Sequence, residues 1–200
     1  KATKACIQQT DKLDGKSIVT VEGLTPREKD VYAYAFASAG AVQCGFCTPG
    51  MVISAKGLID KNPDPTRADV KDAIKNNICR CTGYKKIEDA VLLAARLFRE
   101  NTEVPATELP GSVGDSIRRI EVVEKTLGTA QYADDIHLPG MLLGSAVRSS
   151  YPRAKVLSID TADAKAIEGV VAVFTADDVP GAKKIGHLVQ DYDVMIPVGS

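Results

Sequence analysis

Residues 43–50 read Gln43-Cys44-Gly45-Phe46-Cys47-Thr48-Pro49-Gly50, and residues 77–84 read Asn77-Ile78-Cys79-Arg80-Cys81-Thr82-Gly83-Tyr84. Four of the five cysteines of the chain fall in these two segments, one pair spaced Cys-x₂-Cys and the other Cys-x-Cys. A lone cysteine behaves as a small buried hydrophobe, whereas two tight pairs of thiols form a metal-ligand pattern. Disulfides are the weaker reading, because the opening residues carry no secretory pattern and a bridge across a one-residue gap is strained. Four thiolates suit zinc or an iron–sulfur cluster, and two features favour the cluster. Cys-x-Cys is unusual for a zinc knuckle. Each pair also precedes a helix start, so two helix N-termini would face an anionic group, each contributing ~0.3–1 kcal/mol at an exposed site. Gly45 and Gly83 let backbone N–H groups come close to the sulfurs.

Outward from the thiols, the periodicity is helical. Thr25-Pro26-Arg27-Glu28 is a capping box with proline at the first helical position, opening a helix that runs to about Ala39 and stops at Gly40. Thr48 reads as the N-cap of a second helix with Pro49 as its first residue, and Met51, Val52, Ala55, Leu58 and Ile59 make one apolar face. Thr66-Arg67-Ala68-Asp69 opens a third, after the break at Asn62-Pro63-Asp64-Pro65. A fourth starts near Lys86, with a stripe of Ile87, Ala90, Val91, Ala94, Leu97 and Phe98. Residues 31–55 contain no charge. Interrupted by Gly40 and Pro49-Gly50, this stretch suits burial around a metal site better than a membrane span. Residues 25–101 therefore read as a compact four-helix bundle.

On either side the pattern changes. Residues 1–24 read as strand and turn, with Asp14-Gly15 as the turn and Ser17–Val21 as a β-branched run. Residues 102–116 are rich in Pro, Gly and small polar residues and read as a linker. From 117 onward an α/β-type module is expected: strands at 117–123 and 141–147, then strand, short helix and strand over 155–160, 161–168 and 170–175. The fold class is multi-domain, α and α/β. The 200 residues are 44% apolar and 26% charged, with 25 basic against 26 acidic side chains and a net charge of -1. No global basic field exists to hold nucleic acid or an anionic membrane. Lys at position 1, an odd number of cysteines and an end at Val198-Gly199-Ser200 suggest a piece of a longer chain. A cytoplasmic location is expected.

The paired motifs resemble the second iron–sulfur domain of the xanthine dehydrogenase/aldehyde oxidoreductase family of molybdenum hydroxylases, over residues 26 to about 100. The flanks fit the same family. Lys4-Ala5-Cys6 with Ile18-Val19-Thr20-Val21-Glu22-Gly23 is similar to the tail of its plant-type, ferredoxin-like β domain. Gly128-Thr-Ala-Gln-Tyr132 with Asp134-Asp135, and Gly169 through Gly181, resemble the start of its molybdenum-binding, α/β hammerhead-type region. The resemblance implies a [2Fe–2S] cluster on Cys44, Cys47, Cys79 and Cys81, and a second one, with Cys6 as its last ligand and the other three before residue 1. It implies a molybdenum–pterin cofactor in the full-length protein, approaching this cluster near Gln43 and Cys81, and catalytic residues beyond residue 200. Fifteen linker residues are too few for a flavin domain, so a separate flavin subunit or a soluble carrier is the expected electron partner. The expected substrate is a small molecule, a purine such as xanthine first and an aldehyde second. Arg153, where the family often has His, advises against fixing the substrate by analogy.

His137 and His187 stand apart from other metal-type residues, Asp134-Asp135 and Asp177-Asp178 read as solvated turn residues, and Gly140 and Gly144 make no dinucleotide fingerprint. Two other readings stay open from the residues: a zinc-stabilised Cys₄ interaction module without activity, and a stand-alone electron-transfer subunit.

Overall fold

The computed structural model describes residues 2–105, 111–115 and 117–200. Residues 106–110 and Ser116 of the expected linker lie outside the described residues. The chain divides into two compact units, one ending at Pro139 and the other spanning Gly140–Ser200.

The first unit is helical: α1 (Pro26–Ser38), α2 (Thr48–Ile59), α3 (Arg67–Ile74), α4 (Lys85–Arg99) and α5 (Val122–Leu127). Two helix starts are set by reciprocal caps. The Thr25 N–H donates to the Glu28 carboxylate at 2.8 Å while the Glu28 N–H donates to the Thr25 hydroxyl at 3.3 Å. Thr66 and Asp69 repeat this at α3, with 2.8 and 3.2 Å. Gly40, at φ 63°, turns the chain out of α1 as the Ala41 N–H donates back to the Phe36 carbonyl at 2.9 Å. Val31, Tyr32, Phe36, Met51, Val52, Val70, Ile87 and Val91 are fully buried in one core, and Tyr32 meets Phe98 edge-on at 5.3 Å. Five of these eight come from the uncharged 31–55 stretch, whose apolar side chains fill the core. Ion pairs link the helices at the rim: Lys56 of α2 to Glu28 of α1 at 2.6 Å, and Arg67 of α3 to Glu88 and Asp89 of α4 at 2.9 and 2.6 Å.

Several expectations need correction. Thr48 is the first residue of α2 and Cys47 its N-cap, because the Cys47 carbonyl is the one that accepts from Met51 N–H, at 3.0 Å. The expected strand at 117–123 gives way to α5, entered through Glu121 at φ 61°. Val122 and Thr126 are buried there, and packing on α1 and α2 overrides the strand preference of the β-branched residues. Residues up to Pro139 fall within the first compact unit. The described residues 2–24 hold 3₁₀ turns at Ala5–Ile7, Thr10–Leu13 and Val21–Gly23 instead of a strand. An extended run becomes a strand only beside a hydrogen-bonded neighbour, and among the described residues none pairs with 17–21.

The second unit contains α6 (Ala162–Ala166), inside the helix expected at 161–168, and a two-stranded antiparallel ladder of β1 (Lys184–Ile185) and β2 (Tyr192–Asp193) in the register Lys184–Asp193 and Ile185–Tyr192. The runs expected as strands at 141–147, 155–160 and 170–175 are outside that ladder. Their alternation marks an extended chain, but its pairing depends on partners that local pattern does not specify. Among the described residues no helix is long and apolar enough to cross a membrane.

Candidate metal centre

Two loops carry the thiols. The first leaves α1 through Gly40 and delivers Cys44 to Cys47 to the start of α2. The second leaves α3 and delivers Cys79 to Cys81 to the start of α4. The two loops meet. The Cys81 Sγ lies 3.6 Å from the Cys44 Sγ, and Cys47 and Cys79 lie near enough for each to shift the other's ionisation. The four thiols therefore assemble as two facing pairs, each drawing one sulfur from each loop. Among the described residues no three His, Cys, Asp or Glu side chains converge on a single ion. All five cysteines are free thiols, with Cys44 and Cys81 exposed and Cys47 and Cys79 half-buried.

The surroundings of the two pairs differ. Burial raises the Cys47 thiol, pushing it up to about 12, and the Cys79 sulfur beside it adds to the shift. Burial also opposes ionisation of Cys79, but the Thr82 hydroxyl and the backbone N–H groups of Cys81 and Thr82 outweigh it and hold this thiol below its ordinary value. The Thr82 hydroxyl is 3.1 Å from the Cys79 sulfur, and the Thr82 N–H donates to it at 3.4 Å. Tyr84 closes this loop: its phenol accepts from the Cys79 N–H at 2.9 Å and donates to the Asn77 carbonyl at 3.2 Å. Tyr84 is itself the N-cap of α4, held at φ 68°. The Asn77 side chain in turn accepts from the Ser54 hydroxyl of α2 at 2.7 Å.

The first loop is clamped from a distance. The Tyr132 phenol donates to the Cys44 carbonyl at 2.7 Å. Gly45 sits at φ 89°, and a Cβ there would stand 2.7 Å from the Tyr132 hydroxyl and 2.8 Å from Lys125 Cβ and Cγ. Gln43 bridges the loops, its side-chain amide donating to the Cys81 carbonyl at 3.0 Å. Phe46 and Ile78, beside the thiols, expose almost their whole side chains. Cys6 lies exposed in the turn Ala5–Ile7.

The donor set fits a [2Fe–2S] cluster. Four soft thiolates suit iron and sulfide, paired sulfurs match two irons, and backbone N–H groups and a hydroxyl point at sulfur. Thr82, Tyr84 and Tyr132 escaped the reading of the motifs, although all three lie within the quoted segments. The only sequence signal is that Thr82 follows Cys81 directly and Tyr84 lies three residues after it, and for Tyr132 there is none.

Comparisons with known proteins agree. Residues 20–92 match the family model described as a [2Fe-2S] binding domain. Residues 127–196 match that of the aldehyde oxidase and xanthine dehydrogenase a/b hammerhead domain. The aldehyde oxidoreductase of Megalodesulfovibrio gigas is 37% identical over 203 residues, covering 94% of this chain and 22% of that protein. The nicotinate dehydrogenase small FeS subunit of Eubacterium barkeri is 48% identical over 90 residues, covering 44% of this chain and 57% of that one. The crystal structure of the aldehyde oxidoreductase from Desulfovibrio desulfuricans superposes with a TM-score of 0.69 at 36% identity, over 90% of this chain and 21% of that one. The chain thus spans about a fifth of the length of the aldehyde oxidoreductases that it matches. Two domains of one family, following each other on one chain in the order that the cysteine loops and the later α/β pattern require, mean that the chain belongs to the xanthine dehydrogenase/aldehyde oxidoreductase family of molybdenum hydroxylases and carries its [2Fe–2S]-binding part.

Proposed function

We propose that this chain is the electron-relay part of a molybdenum-dependent hydroxylase, in which Cys44, Cys47, Cys79 and Cys81 ligate one [2Fe–2S] cluster. The observation that carries the reading is the meeting of the two loops, which brings the Cys44 and Cys81 sulfurs within 3.6 Å and leaves Cys47 and Cys79 electrostatically linked beside them. When bound, the cluster supplies single-electron transfer, and the molybdenum–pterin cofactor of the full-length protein supplies hydroxylation of a carbon next to nitrogen or oxygen. The chain's own residues hold, orient and insulate. Helices α1 to α4 form the cluster-binding bundle over 25–101, with the buried side chains of 31–55 as its dry wall. Gln43 fixes the Cys81 backbone at the exposed end of the thiol set, and these two residues are the proposed contacts of the pterin. Cys6 is the proposed last ligand of a second cluster, in a ferredoxin-type domain whose tail is 1–24. The linker 102–116 leads into the hammerhead-type region.

For the substrate, the similarity that runs through both matched domains is to an aldehyde oxidoreductase, and it supports an aldehyde ahead of a purine. The short connection between the two matched domains supports electron exit to a separate flavin subunit or a soluble carrier.

Iron and acid-labile sulfide analysis tests the cluster, with about two of each expected for this site. Zinc in their place would sink the reading. Cys81→Ser should bleach or shift the signal of this cluster, and an unaltered spectrum would strike Cys81 from the ligand set. The full-length protein, purified without partners, should reduce one-electron dyes but transfer poorly to NAD, because making a hydride from single electrons normally uses a flavin. Efficient NAD reduction by a flavin-free single chain would overturn the proposed exit.

A further inference from the structure

We propose that Thr82 tunes the reduction potential of the cluster by aiming its hydroxyl proton at the Cys79 sulfur. The proposal rests on the cluster reading above. The hydroxyl oxygen is 3.1 Å from that sulfur, and in free thiols either atom could donate. Once the sulfur binds iron it has no proton to give, so the hydroxyl becomes the donor. Its direction is constrained from behind: the Tyr84 N–H donates to the same hydroxyl oxygen at 3.2 Å. That contact occupies a lone pair on the oxygen and polarises the O–H, forming a chain from Tyr84 N–H through the Thr82 hydroxyl to sulfur. The chain is anchored at both ends. Tyr84 is the N-cap of α4, and its phenol is tied to Cys79 N–H and the Asn77 carbonyl.

Reduction places an additional negative charge on the cluster, shared by its sulfurs. A hydrogen bond to an ionised acceptor is stronger than one to a neutral acceptor, so the Thr82 contact stabilises the reduced state more than the oxidised one and raises the potential. The contact lies on the half-buried side of the site, where the Cys79 sulfur receives both the Thr82 hydroxyl and the Thr82 N–H, while Cys44 and Cys81 are exposed. Thr82 is therefore a tuning residue on the half-buried side of the site. It is not catalytic, since it acts through the Cys79 sulfur.

The test uses the full-length, cluster-loaded protein and a reductive titration of this cluster followed by electron paramagnetic resonance. Thr82→Val keeps the shape and removes the hydroxyl, and the one-electron reduction equilibrium constant should fall about tenfold, a shift of about 59 mV to lower potential. Thr82→Ser restores the hydroxyl and should return the constant to within about threefold of the wild type. A Thr82→Val protein with full iron and sulfide and an unchanged midpoint would overturn the proposal, as would equal shifts in Val and Ser variants. Should Thr82→Val fail to retain its cluster, the wild type decides. Transferred briefly into deuterated buffer, reduced and frozen, it should show by pulsed resonance a coupled deuteron at a hydroxyl position, exchanged before the slower backbone N–H groups. Its absence overturns the proposal equally. Iron and sulfide content of the wild type is measured first. A shortfall there overturns the cluster reading, whereas full content with an unmoved potential overturns the role of Thr82 alone.

Discussion

Replacing Gly45 with alanine should loosen the cluster site by more than the same change at Gly83, and the structure gives the difference. Both glycines hold positive φ, 89° and 66°. A left-handed backbone costs an L-residue roughly 1–2 kcal/mol, and at Gly83 that is the whole cost, because nothing lies within 4 Å of an added Cβ. At Gly45 the new Cβ would stand 2.7 Å from the Tyr132 hydroxyl and 2.8 Å from two Lys125 carbons. Something must move, and the first contact to go is the 2.7 Å bond from Tyr132 to the Cys44 carbonyl, worth about 0.5–1.5 kcal/mol. Gly45→Ala should therefore cost about 1.5–3.5 kcal/mol by these two effects. For a chain of this size each kcal/mol moves the melting temperature by roughly 2–4 °C. Thermal unfolding of the cluster-loaded protein, with visible absorbance reporting cluster loss and far-ultraviolet dichroism reporting helix, should rank wild type, Gly83→Ala and Gly45→Ala in falling order. Tyr132→Phe, which removes the bond and keeps the ring, should fall near Gly83→Ala. Equal losses at the two glycines would refute the clamp by Tyr132 and Lys125. No loss at either would refute the need for glycine.

Other outcomes follow from the helical core and its rim. Phe36→Ala, at a fully buried position, should cost about 3–5 kcal/mol in chemical unfolding, and a loss below 1 kcal/mol would contradict its place in the core. Burial opposes ionisation of Glu28, but the Lys56 ammonium and the cap bonds from Thr25 outweigh it, so the carboxyl sits below its ordinary value in the folded chain. Hydrogen bonds from Thr66 lower Asp69 in the same way. Depressed carboxyls contribute stability above their unfolded values, near 4.5 and 3.8, and lose it as pH falls through the folded ones. Unfolding midpoints measured from pH 7 to pH 3 should therefore drop at the acid end, and Glu28→Gln should flatten that drop. Removing iron with a chelator should destabilise the thiol loops, read as faster amide exchange at 43–47 and 77–84, with the α1 core exchanging as before.

What could be read from the sequence was what local chemistry encodes. Thr25–Glu28 and Thr66–Asp69 state their caps within four residues, and both helices begin where those caps dictate. The Cys-x₂-Cys and Cys-x-Cys spacings mark the two loops, and those loops meet in the fold. The uncharged 31–55 stretch supplies much of the core. What escaped was long-range. Tyr132 reaches Cys44 across 88 positions, a contact that neither residue advertises. Val122 and Val123 carry strand preference, yet α5 forms there because a partner surface on α1 and α2 receives its buried side. The β-branched runs after Gly140 read as strands for the same intrinsic reason, and pairing partners decide that outcome, not propensity.

The reach of Tyr132 also carries a schedule. A ribosome makes on the order of 5–20 residues per second, so the 88 positions between Cys44 and Tyr132 correspond to roughly 4–18 s of synthesis. Throughout that interval the first cysteine loop exists without its clasp, and for the earlier part of it without Cys79 and Cys81 as well. Nascent thiols in that window are open to oxidation and to adventitious metals. A metal centre on these four thiols would meet its complete clasp only once Tyr132 had been made.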